Sequence, residues 1–270
     1  MSKHDKIRSL LTKPYALVDG RRHVIQTIPP AKSAGSGPMA RLQGFLKGWP
    51  PLYRFAVETF SPVLVSKAMR AALAGTLSEH GPDSIVVNLG SGPLGIPDRP
   101  DIINVDISPF EKVDICADAT DLPFDADSVD CIINLAMLEH VASPEMVTAE
   151  MRRTLRPGGS FFCFVPFCQP QHAAPSDYRR WTRSGAVQLF AGLDVERIGV
   201  GAGPTSGWLW VTVEWLSLVF SFGSPAARDI LALTLMLALF PLKHLDRLLE
   251  RHPCAERIAS GFFILGRKAP

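Results

Sequence analysis

The chain has 270 residues, enough for one α/β domain with appendages or for two small domains, and 47% of them are hydrophobic. Its 28 basic and 26 acidic residues nearly cancel and form no long run of either sign, which argues against a nucleic-acid partner. Five cysteines, Cys116, Cys131, Cys163, Cys168 and Cys254, are an odd number without a C-x-x-C pair. Three sit inside apolar runs, so they read as small buried hydrophobes in a reducing cytoplasm, not as a disulfide or metal framework.

The N-terminus, "MSKHDKIRSLLTKPYALVDG", is basic but lacks the apolar stretch and small-residue cleavage site of a signal peptide. Residues 1–40 end in "IPPAKSAGSGPM", whose Pro, Gly and Ser predict a flexible segment. Residues 41–82 turn helical, over Ala40 to Leu46 and Pro51 to Phe60. Ser61 followed by Pro62 predicts the start of a further helix that runs to about Glu79 and stops at Gly81.

The rhythm then changes to short apolar runs: 84–90, 102–107, 113–118, 131–138 and 160–167. Runs apolar on both faces suit a parallel sheet covered by helices. A helix falls between the last two, with Ser143 as cap, Pro144 in the first turn and Gly158 and Gly159 at its end. A helix "RSGAVQLFAGL", a strand "DVERIGV" and a final strand at 261–267 follow. The order belongs to an α/β, doubly wound sheet over 83–202 and 259–270, where ligands bind at the carboxyl ends of the strands.

The first strand runs into "NLGSGPLGIP", a literal G-x-G-x-x-G at Gly90, Gly92 and Gly95. A dinucleotide needs a helix N-terminus after that turn to receive its pyrophosphate, and Pro93, Pro97 and Pro100 deny it one. A nicotinamide oxidoreductase is therefore disfavoured, and a nucleoside without pyrophosphate fits better. Gly90 and Gly92 permit close backbone approach, while Gly95 looks incidental. Asp106 closes the second strand, with Ile107 beside it, in the place where an acid accepts from ribose hydroxyls. Asp118 closes the third strand, where it can meet an exocyclic amine of adenine.

These residues, with "D-L-P-F", "L-E-H-V" and "L-R-P-G-G" following in order, resemble a class I S-adenosylmethionine-dependent methyltransferase of type 11 over roughly residues 84 to 200 and the last strand. The resemblance implies a Rossmann-like seven-stranded fold and S-adenosylmethionine as cofactor. It places Gly90, Ser91 and Gly92 against the methionine part, Asp106 on the ribose and Asp118 and Ala119 near the adenine. Asn134, Leu135 and the residues to Leu138 would line the cofactor, and Glu139 and His140 would begin the next loop. Where the family's first motif carries an acid, this chain has Asn88, an uncharged group still able to bond within the turn or to the cofactor's amine.

On the acceptor side, "QPQHAAPSDYRRWT" resembles a run in the same subgroup and offers His172 as a base and Arg179 or Arg180 as an anion grip, with Tyr178 beside them. The competing view is an Asp177–Arg179 ion pair fixing the loop, with Thr182 capping the next helix. His140 is similarly poised to touch the acceptor or merely to end its loop. No metal is assigned. Residues 203–258 form an apolar insertion with Trp208, Trp210 and Trp215 in one run and Ile230 to Phe240 in another. Each run is shorter than the ~20 residues that cross a bilayer. With Lys243, Arg247 and Arg251 following, they suit a hairpin dipping into one leaflet through 208–242, the alternative being a cap or dimer face. After Pro241, Leu242, Leu245, Leu248 and Leu249 predict an amphipathic turn. The expected activity is methyl transfer to a small or lipid- or glycan-linked acceptor at the cytoplasmic membrane face. The alternative is a non-catalytic cofactor-binding or assembly module at the membrane.

Overall fold

Alternation along Val86–Leu89 sets the architecture: Val86 faces one side of a sheet and Val87 and Leu89 the other, and all are buried. In the computed structural model, which describes residues 2–18, 22–24, 45, 49–172 and 176–270, the chain begins with α1 (Lys3–Leu10), β1 (Ala16–Val18) and β2 (Arg22–Val24). Helices α2 (Pro50–Phe60) and α3 (Lys67–Ser78) precede β3 (Val86–Leu89), β4 (Ile103–Asp106), β5 (Ile115–Cys116) and β6 (Val129–Leu135). Then come α4 (Pro144–Thr154), β7 (Leu155–Pro166), α5 (Arg183–Leu189) and β8 (Asp194–Ala202). The insertion supplies α6 (Pro204–Phe220), α7 (Pro225–Leu239) and the short α8 (Asp246–Leu249), before the closing strand β9 (Gly261–Arg267).

The sheet order is β1-β2-β5-β4-β3-β6-β7-β9-β8. Strands β2 to β7 run parallel, and β9 enters antiparallel between β7 and β8. The seven strands from β5 to β8 are the α/β arrangement expected of the sequence. One face buries Ile7 and Leu10 of α1, Val147 and Met151 of α4 and Ala186 and Leu189 of α5. The other carries α3 through Met69, Ala72, Leu73 and Leu77. Burial on both faces is why the strands are apolar throughout instead of alternating with polar residues. Cys116, Cys131 and Cys163 lie inside this core, and burial pushes the Cys131 thiol up to about 12, leaving it inert.

Four expectations are corrected. Residues 3–18 and 22–24 belong to the domain and are not part of a flexible segment: Ile7 and Leu10 enter the core, and β2 covers the edge of the two-residue strand β5. Residues 1, 19–21 and 25–40, like most of 41–48, lie outside the described residues. Helix α3 begins at Lys67, since Ser66 is its cap, accepting from Met69 N–H while its own N–H is tied to Gly201 O. Gly158 and Gly159 do not end α4, which stops at Thr154; they lie within β7, and the Ser143 side chain makes no cap bond. Gly95 is not incidental: it sits at φ +61, where a Cβ would come within 3.2 Å of Asn104 Nδ2.

Candidate functional site

Parallel register brings the predicted cofactor residues to one edge. Leu89 pairs with Val105 and with Asn134, and Asp106 pairs with Cys116, so the strand ends carrying Gly90, Asp106, Asp118 and Leu135 lie side by side. Adjacent strands are about 4.8 Å apart, so the row extends about 14 Å, room for an extended nucleoside.

The glycine turn is built by backbone. Gly90 and Ser91 N–H both donate to Val105 O, and Gly90 and Gly92 hold φ +72 and +58. A Cβ on Gly90 would strike Met137 Cγ at 2.4 Å, whereas a Cβ on Gly92 would meet open space. The chain between Gly92 and Ile102 forms turns without a helix, as its prolines require. Asp106 Oδ2 accepts from Gly92 N–H and Oδ1 from Ser108 N–H, both at 2.8 Å. Burial raises the Asp106 pKa in spite of these amide bonds. Ile107 N–H also acts on this carboxylate, and with about four acceptor sites the group that locks the turn can still accept from a ribose hydroxyl. Asp118 Oδ1 accepts from the Thr120 N–H and hydroxyl, leaving Oδ2 to the rim beside the partly buried Ala119, and Ile107 is exposed at the same edge.

Two of the residues do structural work. Asn88 is buried and donates through Nδ2 to Asn104 Oδ1 at 3.0 Å, pinning β3 to β4 instead of facing a ligand. Asn134 Nδ2 holds Leu89 O at 2.8 Å, while its buried Oδ1 has no partner among the described residues. The open space at Gly92, the spare Asp106 lone pairs and this orphaned Asn134 oxygen fit a nucleoside cofactor.

At the next strand ends, the turn Leu138–His140 follows β6 and the segment 167–182 follows β7. Arg180 staples that segment: it donates to Gln169 O and Pro170 O and forms a fork on Asp177. Burial works against an ionised Asp177, but Arg180 and the His172 N–H outweigh it and hold the carboxyl at about 2. The Asp177–Arg179 pair, which the sequence offered as the competing view, is instead Asp177–Arg180, while Arg179 bonds to Glu145 of α4 beside the cleft that it lines with Tyr178 and Arg180. Tyr178 is exposed, and its N–H donates to Glu139 O. Thr182 caps α5, accepting from Gly185 N–H.

His140 and His172 come together, their rings 5.3 Å apart and edge to face. Each is oriented through Nδ1, His140 by Ser176 O at 2.6 Å and His172 by Pro170 O at 3.2 Å. Behind both lies Glu139, 0% exposed. One of its oxygens is 3.9 Å from His140 Nε2 and 3.8 Å from His172 Nε2, and neither oxygen has a hydrogen-bond partner among the described residues. Burial and the Arg180 charge lower the His172 pKa, but the facing Glu139 carboxylate and the Pro170 carbonyl outweigh them and raise the pKa above its ordinary value. Glu139 was missed as a functional candidate. Its place beside His140 was a signal, but only the fold shows that it is buried without a partner.

Residues 100–163 match the model of a methyltransferase domain family. No curated protein matches the sequence. Among solved structures, the chain is similar to the [4+2]-cyclase SpnF at 16% identity, covering 75% of this chain and 81% of that one, with a TM-score of 0.46. It is similar to a geranyl diphosphate C-methyltransferase of Streptomyces coelicolor, solved with Mg2+, geranyl diphosphate and S-adenosylhomocysteine, at 15% identity, 74% and 79% coverage and a TM-score of 0.44. It also resembles a phosphoethanolamine N-methyltransferase of Haemonchus contortus, at 13% identity and a TM-score of 0.45, covering 74% of this chain but 53% of that one.

Proposed function

We propose that this chain, whose residues 100–163 match a methyltransferase domain, transfers a methyl group from S-adenosylmethionine to a small or lipid-linked acceptor at the cytoplasmic face of a membrane. The observation that carries the transferase reading is Asp106, which fixes the glycine turn through Gly92 and keeps lone pairs for a ribose. Gly90, Ser91 and Gly92 would hold the amino-acid part, Asp118 and Ala119 the adenine, and Asn134 and Leu135 the wall opposite. When bound, the cofactor supplies an electrophilic methyl on sulfonium; the protein's part is to bring an acceptor in line with it and exclude water. His140 and His172 stand at the acceptor end with each Nε2 turned inward. Asn88, which stands where the family's first motif carries an acid, donates to Asn104, and this supports a structural part for it in the turn.

The membrane reading is supported by the insertion. On α6, Trp208, Trp215 and Leu218 are exposed, and Phe222 at the hairpin tip is 92% exposed. On α7 only Ala232 is buried. Helical structure continues over 225–249, long and apolar enough by length and composition to cross a bilayer, which the separate apolar runs did not suggest. Its far end is nonetheless held by the domain, since Lys243 and Asp246 are buried there. Lys243 is therefore not a headgroup contact, which leaves the exposed Arg247 and Arg251 for that role. A hairpin dipping into one leaflet fits this arrangement better than a span.

The transferase reading is tested by titrating the purified chain with S-adenosylmethionine. Asp106→Ala should weaken binding tenfold or more, about 1.4 kcal/mol, and equal affinity in the variant would remove the assignment.

A further inference from the structure

We infer that Glu139, His140 and His172 form a binding site for a first-row divalent cation, with Zn2+ the best match to the donor set. Each offers one ligand atom, and the three atoms lie within 4.8 Å of one another. Glu139 is wholly buried, and among the described residues no donor reaches either of its oxygens. An ionised carboxylate removed from water is costly unless a cation or donor compensates it.

The histidines are set up to supply that compensation. His140 donates Nδ1–H to Ser176 O, which turns its Nε2 lone pair to the carboxylate, and His172, whose Nδ1 stands 3.2 Å from both Pro170 O and Arg180 Nη2, also turns its Nε2 toward Glu139. A ligating imidazole characteristically donates its other N–H to a carbonyl, which fixes the tautomer and raises basicity. The Pro170 carbonyl is in turn held by Arg180, so this outer layer is itself anchored.

The spacings are those of a site slightly open. Glu139 Oε1 stands 3.9 and 3.8 Å from the two Nε2 atoms, too far for hydrogen bonds. With bonds of about 2.0–2.1 Å, tetrahedral donors lie about 3.4 Å apart, so admitting the ion takes a closure of roughly half an ångström at Glu139 and of up to about 1.4 Å between the histidines, whose ligand atoms lie within 4.8 Å. Two imidazoles and one carboxylate suit zinc and its first-row neighbours, whereas magnesium prefers oxygen alone. Three protein ligands leave a coordination position open, the arrangement of a catalytic and not a structural site. His172 contacts Asp177 and Arg180, which line a cleft with Gln169, Gln171, Tyr178 and Arg179, and its ring lies 5.2 Å from that of Trp210 on α6. The open position would take an oxygen of the acceptor, a carboxylate, phosphate or hydroxyl; this second part rests on the methyltransferase reading.

The test is equilibrium dialysis of the full chain against Zn2+, in a Cys254→Ser background because that exposed thiol next to His252 is a competing site. About one Zn2+ per chain is expected, with His140→Ala and His172→Ala each weakening binding at least tenfold. Cobalt(II) should give visible absorption bands that the same variants lose. His172 is partly exposed, so its variant should keep the wild-type fold and circular dichroism spectrum even if Glu139→Gln does not. Zinc retained equally by the wild type and the double histidine variant, or by neither, overturns the site. Metal binding with no S-adenosylmethionine binding would sink the transferase reading and leave the cation site standing.

Discussion

At the residue scale, partly buried charged groups fix the backbone at the site, Asp106 through Gly92 and Ser108 N–H and Arg180 through the carbonyls of Gln169 and Pro170. Beneath the sheet the buried His80 pairs with another side chain, its Nε2 2.7 Å from the Ser160 hydroxyl. Burial lowers the His80 pKa, a shift that the Asp130 and Glu79 charges only partly offset. Above the unfolded value of about 6.5 the imidazole is neutral in both states and contributes no pH dependence. As pH falls below that value the unfolded chain takes the proton first, so stability is lost until the folded group titrates as well. Urea midpoints between about pH 7 and pH 5 should therefore fall less steeply in His80→Gln than in the wild type. Parallel curves would show that His80 titrates alike in both states.

At the element scale, α6 depends on a distant residue for its start. Its cap position is Gly203, which has no side chain to offer, and Asp246 of α8 fills the role. The Asp246 carboxylate accepts from Thr205 N–H, Ser206 N–H and the Ser206 hydroxyl. A Cβ at Gly203 would lie 2.4 Å from Asp246 Cγ, so glycine is what lets the carboxylate in. Lys243 does the converse for α2, donating to the carbonyls of Glu58, Thr59 and Ser61 at its C-terminal end. Removing a cap and orphaning buried amides together suggest a loss of roughly 2 to 4 kcal/mol for Asp246→Ala. Denaturant unfolding would measure it, and a loss below about 0.5 kcal/mol would mean that α6 is secured by other contacts.

At the scale of the whole molecule, the segment 240–249 is turned inside out. Leu242, Leu245, Leu248 and Leu249, predicted as an apolar stripe, are all exposed, while Lys243 and Asp246 are buried. Exposed apolar residues also lie on α6 at Trp208, Trp215 and Leu218, on α7 at Ile230 and Leu237, and at the tip in Phe222. Glu214, the one acid in the first apolar run, is neutralised by Arg228 across the hairpin. The chain should float with vesicles of mixed phosphatidylcholine and phosphatidylglycerol. Phe222→Asp combined with Leu218→Asp should weaken that association at least tenfold, since each side chain contributes about 1.5–3 kcal/mol when buried. Wild-type protein remaining in the dense fraction would count against membrane docking.

The sequence by itself determined the seven strands from β5 to β8 and the edge where their carboxyl ends meet, but not β1 and β2. Strand-length apolar runs, the prolines after Gly92 and the acids closing β4 and β5 are local signals, and β9 at Gly261–Arg267 was bounded to the residue. The same local logic failed where a residue's partner is remote in the chain. Asn88 could be read as a ligand contact because nothing nearby announces Asn104. Asp177 was matched with Arg179 when geometry chose Arg180, because the fork of Arg180 also reaches the carbonyls of Gln169 and Pro170. The leucines of 242–249 were read by periodicity, which tells which residues share a face but not which face the domain covers. Only the tertiary structure decided that Glu139 is sealed from water between two histidines that the chain holds far apart. Desolvation depends on what packs around a group, and a single sequence does not carry that information.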